Sequence, residues 1–443
     1  MIAMPRRFSF LSMKYRGAFS LVLNLCLVLM LVKPGFTIAQ TTNTIQGTVW
    51  NAETETVIPN ASVFITNSSK GTITAANGSF TLSGIPPGTY DLVISSVGFS
   101  TQVYSFSSEK LPLTLRIYLQ PKATELDAVV VEPYLKDGWE QWGRFFTDNF
   151  LGTTDASRLC RIRNYKALRF RFSKKRNVLT VSAEEPLIID NRDLGYRIQY
   201  QLEEFKYDFG NKTLFYLGYT LFEDASEKKK TVPKRFLNAR RKAYAGSIMH
   251  FARSLYNSQM MEAGFEVRRL YRTPNTEKAR VRQIMRARAQ ININGNATTV
   301  RSGVRPGKTS HDTTTNLAAD SSAYYEKIMR QKDVLETMTG YVLTPDSLMT
   351  VNADGEHVLF FNNYIHIMYR KGFEEPAYLR NNMEARKPYH PRSIVFLQSG
   401  MPVTISKNGS ILPPTEFFSE GYWSWSEKIS HLLPTDYDNE RGR

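Results

Sequence analysis

The sequence predicts a mostly β protein: a seven-stranded β-sandwich first, then a larger mixed, β-rich body of α+β character. Three observations carry this. Between residues 41 and 133 apolar and polar residues alternate, and turn residues recur every few positions. Beyond residue 134 alternating aromatic runs continue, interrupted by stretches with apolar residues at helical spacing. Hydrophobic residues make up 42% of the 443 positions and aromatics 12%, which excludes a wholly disordered chain and leaves enough apolar surface for several cores.

Residues 1–39 read as a signal peptide. Arg6, Arg7, Lys14 and Arg16 form a basic leader, residues 18–32 an apolar run, and Thr37, Ile38 and Ala39 a small-residue cleavage site. At about 1.5 Å per residue that run reaches ~22 Å, short of a ~30 Å hydrocarbon core. The expectation is an exported protein, in the periplasm or associated with the outer membrane, with no transmembrane helix after cleavage. Cleavage would remove Cys26 and leave Cys160 alone, so no disulfide scaffold is expected. An exported chain does not meet the genome, so nucleic acid is not an expected partner despite the net charge of +16.

Residues 41–121 are the expected sandwich. Ile45 to Val49 opens it, and Ala61, Val63 and Ile65 point one way along the next strand. Asn77-Gly78 is a hairpin signal, because both central positions of a type I′ turn need positive φ. Phe80 and Leu82 resume the apolar face, the Pro86-Pro87-Gly88 turn leads into Tyr90, Leu92 and Ile94, and Leu111, Leu113, Leu115, Ile117 and Leu119 alternate along the last strand. The spaced Gly78, Phe80, Gly88, Tyr90 and Gly98, with the run from Gly47 to Phe99, resemble the carboxypeptidase-like regulatory domain, a transthyretin-like sandwich. The resemblance implies that these glycines shape the fold and perform no chemistry. Such domains occur beside zinc carboxypeptidases and at the N-terminus of TonB-dependent outer-membrane receptors of Bacteroidetes-type bacteria.

Neither partner activity is predicted for the rest of the chain. A zinc carboxypeptidase needs two histidines and a glutamate around one metal. None of His250, His311, His357, His366, His390 and His431 is followed by Glu three residues on, and no two lie within five residues. No metal, cofactor or catalytic residue is expected. The alternatives are an outer-membrane-associated component related to TonB-dependent receptor systems, or an enzyme with an unrecognised site in the C-terminal body.

The expected organisation continues with a linker (122–138), a basic α+β part (139–291), a flexible Asn/Thr/Ser/Gly-rich loop (292–322), a β-rich part (323–434) and a polar tail (435–443). Helices are expected over 138–151, 234–263 and 322–338, and strands over 167–172, 178–182, 187–189, 196–207, 213–222, 358–369, 393–398 and 403–406. Lys407-Asn408-Gly409-Ser410 marks a hairpin turn. This body resembles the uncharacterised C-terminal region of Bacteroidetes-type envelope proteins, chiefly through Glu420 to Trp423 and Leu432 to Pro434, a resemblance that implies no activity.

The charge is concentrated. Residues 228–310 hold 20 basic and 3 acidic residues, against 4 basic and 7 acidic in 41–133. A basic face of this kind attracts polyanions, and in an envelope the candidates are anionic glycan or lipid, beside a protein partner. On the expected 234–263 helix, Leu237, Tyr244, Ile248, Phe251 and Leu255 share one face, with Arg235, Lys242 and Arg253 opposite as the polyanion-binding candidates. Tyr422, Trp423 and Trp425 are candidates for stacking on sugar rings, with burial in a core as the competing reading. Glu184-Glu185, Asp190 with Asp193, Cys160 with His250, and Ser247 are weaker catalytic combinations.

Overall fold

The computed structural model describes residues 43–122, 132–226, 231–293 (backbone alone from 287) and 322–440. The signal peptide and most of the expected 292–322 loop lie outside these residues.

Seven strands build the sandwich: β1 Thr44–Asn51, β2 Ser62–Ile65, β3 Gly71–Ile73, β4 Ser79–Ser83, β5 Thr89–Ser95, β6 Gln102–Ser107 and β7 Leu113–Leu119. They form two sheets in the orders β4-β1-β7 and β3-β2-β5-β6, with β1 and β7 parallel. Inward residues alternate as the sequence predicts, burying Ile45 and Val49, Val63 and Ile65, Phe80 and Leu82, and Ile117 and Leu119. Asn77-Gly78 is a tight turn with Gly78 at φ +72, closed by the Ala75 amide on the Ser79 carbonyl at 2.8 Å. It is not a hairpin between paired strands, however. It carries the chain from β3, the edge strand beside β2 in one sheet, to β4, the edge strand beside β1 in the other.

The body begins earlier than the expected linker boundary. The Leu135 amide bonds the Phe170 carbonyl at 2.8 Å, and helix α1, Gly138–Phe150, follows at once. Phe146 and Phe150 are fully buried against a six-stranded sheet, with ring centroids 4.8 Å from Phe205 and 4.9 Å from Tyr200. That sheet comprises β8 Cys160–Ile162, β9 Leu168–Ser173, β10 Val178–Ala183, β11 Leu187–Asn191, β12 Tyr196–Asp208 and β13 Thr213–Asp224. The long strand β12 pairs with β11 and β10 along one side and with β13 along the other.

The expected 234–263 helix is three helices: α2 Lys234–Tyr244, α3 Ile248–Tyr256 and α4 Met260–Ala263. Gly246 at φ +81 turns the chain, and the Ser247 hydroxyl caps α3 by accepting the His250 amide at 3.0 Å. Arg240, 0% exposed, anchors α2. Its guanidinium pairs with Asp224 at 3.0 Å, donates to the Leu194 carbonyl at 2.8 Å and lies 4.0 Å from the Tyr196 ring centroid.

The chain continues through β14 Phe265–Pro274, α5 Thr276–Ile293, α6 (322–329) and β15 Val334–Met338. The expected 322–338 helix therefore stops early, because its second half pairs with β14, Met338 opposite Leu270. The remaining strands are β16 Met349–Val351, β17 His357–Leu359, β18 Tyr364–Tyr369, β19 Arg392–Leu397, β20 Val403–Ile405, β21 Ile411–Leu412 and β22 Phe417–Gly421. Helix α7, Pro376–Asn381, precedes β19, and α8, Tyr422–Ser426, follows β22. Sheets β15-β14-β18-β19-β22 and β16-β17-β20-β21 enclose a second body core around Phe251, Phe265, Ile365, Val395 and Trp423. The 407–410 turn closes the β20–β21 hairpin as expected.

The loop 66–70 of the sandwich docks on the body. The Asn67 amide bonds the Thr220 carbonyl at 2.8 Å, the Phe222 amide bonds the Ser68 carbonyl at 2.9 Å, and the Thr435 amide bonds the Asn67 carbonyl. The Ser69 amide bonds the Asp436 carboxylate at 3.0 Å. Residues 435–437 are therefore packed structure rather than the start of a polar tail: Tyr437 is buried, and Thr435 bridges sandwich and body.

Arg240 and Arg241 are neighbours with opposite environments, one buried and one exposed. Replacing Arg240 with Leu strands Asp224 and the Leu194 and Gly195 carbonyls and is expected to cost about 3–5 kcal/mol, whereas Arg241→Leu should stay within ~0.5 kcal/mol. Urea denaturation of the two variants checks the contrast, and equal effects would refute the anchoring role.

Candidate functional site

A clamp forms where α3, the β20–β21 hairpin and the C-terminal segment meet. Arg253, on the last turn of α3, donates Nε to the Asn408 carbonyl, Nη1 to the Tyr437 carbonyl and Nη2 to the Thr435 carbonyl, each at 2.9 Å. Its guanidinium lies 5.5 Å from the Tyr244 ring centroid. All three nitrogens are spent on backbone oxygens, so Arg253 is a structural clamp and not part of an exposed cationic face.

Beside this clamp lies a cleft of about 320 Å³ between sandwich and body. Tyr90 comes from β5, Leu217 and Tyr219 from β13, Met249 from α3, Ile411 from β21 and Phe417 from β22, giving mostly apolar walls. A few polar groups punctuate them: Ser247, Glu427, His431 and Thr435. Burial pushes the Glu427 carboxyl up to about 8, against the pull of a hydrogen bond from the Ile248 amide at the start of α3. Burial also lowers His431, opposed by the Glu375 carboxylate 4.0 Å away. At pH 7 the cleft thus holds a protonated acid and a neutral imidazole. A wider groove of about 730 Å³ runs between β3 and β13, but it is open and lined chiefly by polar groups such as Lys70, Gln199, Glu223 and Asp224.

The basic segment is largely neutralised from within. Lys242 pairs with Glu375 at 2.9 Å, Arg268 with Glu266 at 2.8 Å, and Arg272 with Glu336 at 2.9 Å and Glu420 at 2.6 Å. Lys278 and Arg282 share Asp333, and Arg280 pairs with Glu277. Asp224, Asp333, Glu336, Glu375 and Glu420 all come from outside residues 228–310, so the fold imports its counter-charge. What stays at the surface is one face of α2. Lys234, Arg235, Arg241 and Lys242 are exposed there, while Phe236, Arg240, Ala243 and Tyr244 are buried on the other side. Arg235 and Lys242 share this face; Arg253, on a different helix, does not join them.

The expected sugar-stacking platform does not form. Trp423 is 3% exposed and donates its indole N–H to the Gly246 carbonyl at 2.8 Å; Trp425 is 8% exposed and donates to Thr153 at 3.0 Å. Tyr422 packs edge-on to Tyr378, 5.1 Å between centroids. The aromatic run closes the body core because its indoles find partners inside it.

The weaker catalytic combinations disperse. The Cys160 thiol points to the Ala156 carbonyl at 3.7 Å and is pushed up to about 12 by burial, while His250, among Tyr244, Phe265 and Tyr369, is pushed down to about 4. A thiol that keeps its proton and a weakly basic imidazole make no nucleophile and base. Glu184 is held by Arg169 at 2.7 Å, Glu185 by Asn164 at 2.9 Å, and Asp190 by Arg197 at 3.0 Å. Ser247 is a helix cap. Among the described residues no group of three His, Cys, Asp or Glu side chains is arranged to hold a metal, and no helix is long and apolar enough to cross a membrane.

Residues 45–131 match the family profile of the CarboxypepD_reg-like domain. The N-terminal sandwich is a CarboxypepD_reg-like domain. No curated protein matches the chain. Among solved structures, a type II cohesin–X-dockerin complex from Acetivibrio cellulolyticus is 21% identical over 18% of this chain and 57% of its own, with a TM-score of 0.16. This chain thus spans little more than half of that one. A Bacteroides uniformis protein provisionally described as carbohydrate-binding is 12% identical over 42% of this chain and 80% of its own, TM-score 0.14. A Bacteroides fragilis protein of unknown function, provisionally described as membrane-associated, is 11% identical over 86% of this chain and 98% of its own, TM-score 0.14. The CarboxypepD_reg-like domain contributes β5 and the loop 66–67 to the cleft, and the body supplies the rest.

Sequence reasoning missed Glu427 and Thr435, since a single Glu in an aromatic run and a Thr near the end of the chain carry no signature. The folded Glu427 carboxyl keeps its proton to about pH 8, whereas an unfolded one releases it near 4.5. Its contribution to stability is therefore complete below about 4.5 and is lost as pH rises through 8. Asp91, Tyr90, Tyr219 and His431 face the same cleft, with Lys428 and Tyr216 alongside; comparison with Glu427→Gln cancels their titrations. Across pH 5 to 9 the wild-type denaturation midpoint should fall relative to that of the variant. Parallel profiles would contradict a carboxyl held protonated in the cleft.

Proposed function

We propose that this chain is an exported, non-catalytic protein of the cell envelope that binds an anionic glycan or lipid surface through the exposed face of α2. The observation that carries the reading is the clustering of Lys234, Arg235, Arg241 and the Glu375-paired Lys242 on one exposed helical face, in a segment whose other described cations mostly turn inward to carboxylates or carbonyls. Export is supported by the leader-like residues 1–39 and fits the CarboxypepD_reg-like domain. In this reading the domain is a scaffold docked against the body, and its glycines serve turns rather than chemistry.

Four cations spaced along about 12 Å of helix (1.5 Å per residue), one of them shared with Glu375, meet a surface of repeated negative charge without needing a shaped pocket. Each is worth about 1 kcal/mol near an anionic surface, so removing two should weaken binding roughly 30-fold. The purified mature protein is titrated with lipopolysaccharide and with phosphatidylglycerol vesicles at ~50 mM salt, then at ~500 mM, where screening is strong. Binding at low salt that is lost at high salt, and weakened by Arg235→Ala with Arg241→Ala, is the expected result. No binding to either surface at low salt, or full binding by the double variant, would sink the reading.

A further inference from the structure

The cleft between sandwich and body carries one unmet hydrogen-bonding group. Thr435 is 7% exposed, and among the described residues its Oγ1 has no partner. The Asn408 carbonyl and the Thr435 carbonyl accept from Arg253, the Thr435 amide donates to Asn67, and Asn408 Oδ1 accepts the Ser410 amide at 3.0 Å. Thr435 lines the cleft directly, whereas the amide of the neighbouring Asn408 turns toward Gly88 and the Tyr90 hydroxyl. Buried polar groups of folded proteins are normally paired, so an orphan hydroxyl in the wall of an apolar cavity marks a place where a second molecule completes the bonding.

We propose that this cleft is a binding site for an uncharged, largely apolar small molecule that presents a hydrogen-bond-accepting oxygen, such as an alcohol, ketone or ester. The walls provide the apolar contact through Tyr90, Leu217, Tyr219, Met249, Ile411 and Phe417. The Thr435 hydroxyl, without a partner of its own, can donate to the ligand's oxygen. No lysine or arginine lines the cleft, whereas Asp91 and Glu427 do, which disfavours an anion. Asp91 is already engaged by the Ser105 hydroxyl at 2.5 Å, and the protonated state of Glu427 matches an uncharged occupant. This ligand is chemically unlike the polyanion expected on α2, so the two sites fail or succeed independently.

The test is fluorescence titration of the mature protein at pH 7 with Prodan, an uncharged naphthalene ketone whose emission shifts to the blue in apolar surroundings. Saturable binding at one site is expected, displaced by decan-1-ol but not by decanoate at equal concentration. Ile411→Trp and Leu217→Trp, which fill the cleft from opposite walls, should each weaken Prodan binding at least tenfold without lowering the melting temperature. Should either variant fold poorly, hydrogen exchange of the wild-type protein replaces it, and decan-1-ol should slow the amides of 217–219 and 409–412. Absence of saturable binding, equal displacement by decanoate, or decan-1-ol protection elsewhere than the cleft would overturn the proposal.

Discussion

Three backbone carbonyls, those of Asn408, Thr435 and Tyr437, converge on the guanidinium of Arg253, and the placement of the sandwich on the body depends on that convergence. Each bond joins a charged donor to a carbonyl and is worth about 1.5–3 kcal/mol. The clamp fixes the β20–β21 hairpin on one side and residues 435–437 on the other. Those C-terminal residues in turn hold Asn67 and Ser69 of the sandwich, whose loop is pinned against β13 from the opposite side. A chain of contacts thus runs from α3 through the C-terminal segment to the N-terminal domain, and the cleft is the space it leaves.

The same economy governs the basic segment. A concentration of Lys and Arg invites a reading as one large cationic surface. The fold instead assigns most of these residues to internal tasks: Arg240 to the paired start of β12 and end of β13, Arg253 to the clamp, Arg272 to the seam between β14, β15 and β22. Arginine suits such tasks because its planar fork satisfies several acceptors at once. The α2 face, apart from the pair of Lys242 with Glu375, is what the scaffold does not consume.

The sandwich was largely legible because each strand declares its own buried face through alternation, as Val63 and Ile65 or Ile117 and Leu119 do. The Asn77-Gly78 turn was legible too, but its strands' partners were not: turn chemistry is local, whereas the choice of sheet depends on where β1 and β2 already lie. The break at Gly246 was hidden because the apolar spacing Tyr244, Ile248, Phe251 continues across it, although Gly followed by a Ser cap was a readable signal. Helix α5 was missed for want of an apolar stripe, yet Asn275 caps it by accepting the Lys278 amide at 2.9 Å. The candidate site was legible only in part. Arg253 could be recognised as a cation, but its acceptors lie 155 to 184 residues away in the chain, and no local pattern announces them.

The most direct test of the clamp is hydrogen exchange on Arg253→Met, which keeps the aliphatic stem and removes the three donors. The account predicts that the amides of Asn67, Ser69, Phe222 and Thr435, which join the sandwich loop to its supports, exchange at least tenfold faster, an opening of about 1.4 kcal/mol. The core amides of β9 to β12 should keep their wild-type protection. Unchanged protection at Asn67 and Thr435 would contradict the claim that Arg253 positions the sandwich.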